Sequence, residues 1–128
     1  MRRIQISAGS VTLPAELNDS PTAGQVWDAL PIDGRASAWG DEIYFEIPVV
    51  AKQASDARAD VTVGELGYWP LGRAFCIFFG PTPVSDGPAP RAYSPVNVLG
   101  RVIGDATAFR ALRDGARVRI ARVAILSA

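Results

Sequence analysis

Histidine is missing altogether from the 128 residues, and cysteine and lysine occur once each, as Cys76 and Lys52. The first absence removes serine–histidine and cysteine–histidine catalysis, histidine-bound zinc and imidazole proton shuttles. A lone cysteine excludes an intramolecular disulfide and a cysteine-only zinc site. Its place between Phe75 and Ile77 reads as a small buried hydrophobe and not as a nucleophile. Net charge is missing too. Thirteen basic and thirteen acidic residues cancel, which argues against nucleic acid or an anionic membrane as partner. No apolar run approaches membrane-spanning length. The opening MRRIQIS has no apolar segment behind it as a signal peptide would, so the expected location is cytoplasmic. Any chemistry must use carboxylates, arginine, tyrosine, Lys52, backbone groups or an oxygen-bound cation, and no cofactor or metal is implied.

What is present is apolar: 48% of the residues, enough for a globular chain. The length suits one domain, 1–128, burying roughly two-thirds of its unfolded surface without staples. The chain is organised around VGELGYWPLGRAFCIFFG, Val63 to Gly80. Its run AFCIFF, bounded by glycine on both sides, predicts a buried central strand: it is too short for a helix and rich in aromatic and β-branched residues. Ala74, Cys76 and Phe78 fall on one face, Phe75, Ile77 and Phe79 on the other. One set fills a core, while the other needs a cover or floors an apolar pocket.

Around this strand the pattern is mainly β. Arg3–Ser7 and Val11–Leu13 alternate across a turn at Gly9–Ser10 and predict a hairpin. Ser20 before Pro21 supplies an N-cap and first-turn proline for a helix to Leu30, with Ala23, Val26, Trp27 and Leu30 on one face. Ile32–Trp39 predicts a ragged strand, and Val49–Asp60 a surface connection. Glu42–Ile47 alternates cleanly: Ile43, Phe45 and Ile47 face a core, while Glu42, Tyr44 and Glu46 face water or a site. Val61–Val63 resumes the strand pattern. Residues 81–95 carry five prolines and read as a long, functional-type loop before a strand from Pro95. In that strand Asn97 and Arg101 share the non-core face. Asp105 caps a short helix over Ala106–Arg113. Ala116–Leu126 is the last strand, with a bulge near Ala121 where the apolar parity changes. About eight short strands with a helix near each end suggest a closed antiparallel barrel, which would leave no exposed edges.

The blocks WGDEIYFEIPV, VGELGYWPLGRAFCIFFGPTPVSDG and SPVNVLGRVIGD resemble the minimal cyclophilin-like proteins, a small bacterial and archaeal family. The similarity is close from Trp39 to Asp105 and extends by element order over nearly the whole chain. It implies a cyclophilin-like β-barrel but no settled activity. True cyclophilins rotate X-Pro bonds against a barrier of roughly 20 kcal/mol, an arginine hydrogen-bonding the prolyl nitrogen as amide resonance is lost. Their pattern sets that arginine near a phenylalanine and ahead of a Gln-Gly-Gly block. No such segment exists here. Arg35 lies in the matching topological neighbourhood without the phenylalanine, and Arg101 is the other candidate.

The reading from these residues is a barrel that binds a small molecule or short peptide in an outer groove of Tyr44, Glu46, Trp69, Phe79, Asn97 and Arg101. Each taken alone has a structural explanation: a solvated strand face for the glutamates, lids for the aromatics, an ion pair for Arg101. Their combination on outward faces is what points to a site. One rival reading is a prolyl isomerase using Arg101 or Arg35. Another is a structural module whose apolar strand face forms a homo-oligomer interface.

Overall fold

The N-terminal hairpin forms where the alternation places it. Strands β1 (Arg2–Ala8) and β2 (Val11–Leu17) pair antiparallel across Gly9–Ser10. The computed structural model describes residues 2–123. Helix α1 (Pro21–Ala29) begins as its cap predicts, Ser20 Oγ accepting the Ala23 N–H at 3.3 Å, and buries Ala23 and Val26. The expected strand at 32–39 is split into β3 (Ile32–Arg35) and β4 (Ser37–Ala38), followed by β5 (Glu42–Glu46). The 49–60 connection carries one short strand, β6 (Arg58–Asp60), while residues 61–63 form none. Strands β7 (Glu65–Trp69), β8 (Ala74–Phe78), β9 (Arg91–Val102) and β10 (Arg117–Arg122) complete the set. The second helix is a 3-10 turn, Ala106–Ala111, capped by the Asp105 carboxylate on the Thr107 N–H at 3.0 Å and anchored by buried Phe109.

Nine strands run in the order β3-β10-β1-β2-β9-β7-β8-β5-β4, every pair antiparallel, with β6 added onto β9. Strand β8 therefore lies third from one end and not at the centre, although all five of its residues are buried. Among the described residues no ladder joins β3 to β4 or β5, so hydrogen bonds do not close the barrel. A side chain fills the seam instead. The Phe45 ring lies so close to Gly34 that a Cβ there would stand 2.7 Å from its Cδ2.

The two faces of β8 divide as the alternation requires. Phe75, Ile77 and Phe79 join the main core with Ile4, Ile6 and Leu99, while Ala74, Cys76 and Phe78 pack outward with Val61, Ala92 and Val96. Two boundaries differ from expectation. Strand β9 starts at Arg91, four residues before Pro95. Strand β10 pairs evenly with β1 from Val118 to Arg122, so there is no bulge at Ala121; residues 124–126 lie outside the described residues. No helix among the described residues is long and apolar enough to cross a membrane.

Candidate functional site

On the outer face of the sheet a cavity of about 140 Å³ opens between β5, β7, β8 and β9. Its floor follows from strand register. Tyr44 pairs with Cys76 and Glu42 with Phe78 across β5–β8, and Gly67 pairs with Cys76 and Trp69 with Ala74 across β7–β8. All of these residues therefore share one face. Strand β9 brings in Ala92, Tyr93 and Val96, and Trp39 enters from the turn after β4.

The walls are aromatic. Trp39 meets Tyr93 at 6.1 Å between ring centroids, Tyr93 meets Trp69 at 6.0 Å, and Trp69 meets Tyr44 at 6.4 Å. Successive planes cross at 71°, 76° and 80°, the edge-to-face arrangement that the ring quadrupoles favour. Trp69 is pinned at both ends: its Nε1–H donates to Ser94 Oγ at 2.6 Å, and its six-membered ring lies against Gly72. Tyr93 stands at the rim, 69% accessible.

Glu42 stands at the floor. It is only 6% exposed, and its Oε1 has no hydrogen-bond partner. Burial pushes its carboxyl up to about 7, and the neighbouring Cys76 thiol pulls it part of the way back. The same burial, with the Glu42 charge beside it, raises the Cys76 thiol well above the ordinary range. An acid of that strength leaves the thiol protonated, so the pair lacks the thiolate that nucleophilic attack needs.

The residues expected to share one groove are dispersed. Only Tyr44 and Trp69 meet in the recess. Phe79 is buried in the main core against Phe109, centroids 6.2 Å apart. Asn97 is buried as well. Its Oδ1 accepts the Ala54 N–H at 2.7 Å, and its Nδ2 donates to the Lys52 carbonyl at 2.9 Å and to Thr22 Oγ1 at 3.1 Å, tying the 51–54 loop to α1. Glu46 is exposed at the end of β5, outside the recess. Arg101 is exposed beside Glu16 and Glu65, which are paired to Arg3 and Arg58. Along β9 it lies about 16 Å beyond Val96. Arg35 is exposed and donates to the Gly115 carbonyl at 3.2 Å.

Asn97 and Arg101 do not share a face, because β9 carries an extra residue opposite the Leu66–Gly67 step, which flips the parity between them. Gly100 makes this turn of register feasible at φ +150, backed directly onto the Glu16 carbonyl where a Cβ has no room. Alternation sets Glu42 on an outward face, toward water or a site, but does not bring Trp39 or Tyr93 beside it. Trp39 beside a strand turn and Tyr93 in a proline-rich stretch give no periodic signal that they converge. Among the described residues no three carboxylates or thiols gather as a metal ion would require.

The cyclophilin-like family model matches residues 2–121. A hypothetical protein from Archaeoglobus fulgidus, known from its solution structure, is 36% identical, with a TM-score of 0.81 and 95% of each chain covered. No curated protein matches. With 120 residues under one family model and that fold shared end to end, the chain belongs to the cyclophilin-like family.

Proposed function

We propose that this chain is a non-catalytic binding module that takes a small molecule, or one side chain of a short peptide, in the recess of Trp39, Tyr44, Trp69 and Tyr93. One observation carries the reading: aromatic walls flank a single buried acid in an open recess of about 140 Å³. Such a cavity is about the size that holds one benzene ring. Few polar groups in an otherwise apolar concavity is the usual make-up of a small-ligand site. The walls are held before any ligand arrives, because Trp69 is fixed by Ser94 and Gly72. Pre-ordering of this kind lowers the entropic cost of binding.

Prolyl isomerisation is less well supported. It needs a guanidinium aimed at the prolyl nitrogen, and the recess wall contains no arginine. The test is a fragment panel of amines, acids and neutral aliphatics, read by tryptophan emission and thermal shift. Two of the three tryptophans, Trp39 and Trp69, line the recess. The expected result is a hit that shifts emission and raises the melting temperature with the logarithm of its concentration. An Ala92→Trp variant, which fills the cavity, should abolish both effects. A panel without hits, or hits indifferent to Ala92→Trp, would overturn the reading.

A further inference from the structure

Resting on the reading of this recess as a binding site, we propose that its ligand class is an organic ammonium cation, held between the aromatic walls with Glu42 as counter-ion. The shape suits a methylated ammonium group. Three near-perpendicular ring contacts make consecutive walls of a box. Ring faces of tryptophan and tyrosine attract a cation through their quadrupoles, and an anion there would meet both those faces and a carboxylate. A trimethylammonium head is close to benzene in bulk, which is the size of this cavity.

The second support is the acid itself. Glu42 is the one carboxylate in the wall, nine-tenths buried, with Oε1 unpartnered. Leaving a carboxylate uncompensated in such surroundings is costly, and a bound cation removes that cost. Neighbouring ionisable groups do not replace it. Cys76 on β8, Tyr44 on β5 and Tyr93 on β9 share the recess wall and carry no positive charge, and the adjacent Asp41 is engaged with Arg110 at 3.1 Å. Because burial holds the Glu42 proton up to about neutrality, a cation that stabilises the ionised form displaces that proton. Binding of the cation therefore strengthens as pH rises to about 7 and levels off above it.

The experiment compares choline with its uncharged carbon isostere dimethylbutanol, in which a quaternary carbon replaces the nitrogen. Both are titrated into the full chain at about pH 8 and about pH 6, with the Glu42→Gln variant alongside. Choline is expected to bind about tenfold tighter than the isostere at the higher pH, the advantage shrinking at the lower. In Glu42→Gln the advantage of choline should fall to the smaller share that the ring faces supply and should no longer change with pH. Arg101→Ala, outside the recess, should leave both affinities unchanged. A peptide carrying trimethyllysine is the second arm: binding at least as tight as choline's assigns the source to a protein tail, and weaker binding assigns it to a free metabolite, both within the cation class. Equal affinities of choline and isostere in the unmodified protein would overturn the cation inference while leaving the recess as a site. So would a panel hit of neutral or acidic type that excludes choline. Only the loss of every recess-dependent hit overturns both.

Discussion

The indole of Trp69 lies on the backbone of Gly72: a Cβ built on that glycine would come within 2.5 Å of indole Cε3 and 2.6 Å of Cζ3. The ring has nowhere to go, since its Nε1–H is committed to Ser94. A methyl at residue 72 must therefore break the Ser94 bond, tilt the indole into the recess or lift the 3-10 turn Pro70–Gly72. Gly72→Ala is expected to cost about 1–3 kcal/mol by over-packing. It should also shift tryptophan emission and weaken recess ligands. Ser94→Ala loosens the same ring with no steric load, so it should alter emission with a smaller stability loss, about 1 kcal/mol. Urea unfolding followed by fluorescence checks both.

Glu42 makes the fold's stability depend on pH with a defined sign. Its folded-state carboxyl is raised from 4.5 to about 7 by burial. Below the lower value both the folded and the unfolded chain hold the proton, so no penalty exists. Between the two values the unfolded chain ionises while the folded one does not, and stability falls as pH rises. Above about 7 the loss is complete, on the order of 3 kcal/mol. Glu42→Gln cannot ionise. It is expected to flatten this dependence, matching the unmodified chain at acid pH and exceeding it in stability at alkaline pH. Urea midpoints on both sides of neutrality measure it; a Gln variant less stable at every pH would mean that Glu42 holds a partner in solution.

How far the sequence discloses this site depends on whether neighbours are local. The floor was legible in part. Alternation sets Glu42 and Tyr44 on one face of β5 and Ala74, Cys76 and Phe78 on one face of β8. A run apolar on both faces does not tell which is outward, and Phe79, expected in the groove, lies on the inner one. The Ser20–Pro21 cap was legible, since its partner is three residues away. The rim was not. Five prolines among residues 81–95 read as loop, yet β9 begins at Arg91. Proline is tolerated there because β6 and β9 pair irregularly, Arg58 opposite Val96 but Asp60 opposite Arg91, which leaves Pro95 in a stretch without regular ladder bonds. That misplacement hid Tyr93. The parity flip at Gly100 separated Asn97 from Arg101, and alternation alone has no means to announce that β9 carries one residue more than the partner strand it pairs with. Whether Glu42 faces water or a site stays open in the sequence because its cover, Trp39 and Tyr93, arrives from a turn and from a strand fifty residues on.

Asn97 distinguishes scaffold from site. All three of its bonds go to the chain, two to the backbone of Lys52 and Ala54 and one to Thr22. Asn97→Ala strands those groups in a buried place, and a loss of about 2–3 kcal/mol is expected. Recess ligands should bind with unchanged affinity wherever the variant remains folded, since the side chain projects to the α1 side of β9. Parallel urea and ligand titrations measure the two effects. A variant of full stability with lost ligand binding would return Asn97 to the site.

The arginines provide the sharpest discrimination from a prolyl isomerase. Lowering a barrier of roughly 20 kcal/mol by a useful amount requires a donor already placed at the prolyl nitrogen in a dry site. Arg101 is exposed about 16 Å along β9 from the recess, and Arg35 spends a guanidinium N–H on the Gly115 carbonyl. Neither lines the recess of Trp39, Trp69 and Tyr93 in which a proline ring would sit. In an isomer-exchange measurement on a model X-Pro peptide, the chain at micromolar concentration is expected to leave the uncatalysed rate unchanged. Arg101→Ala and Arg35→Ala should behave identically to it, and Arg35→Ala should cost less than about 1 kcal/mol as an exposed contact. Acceleration that disappears in either variant would place catalysis on that arginine and displace the binding-module reading.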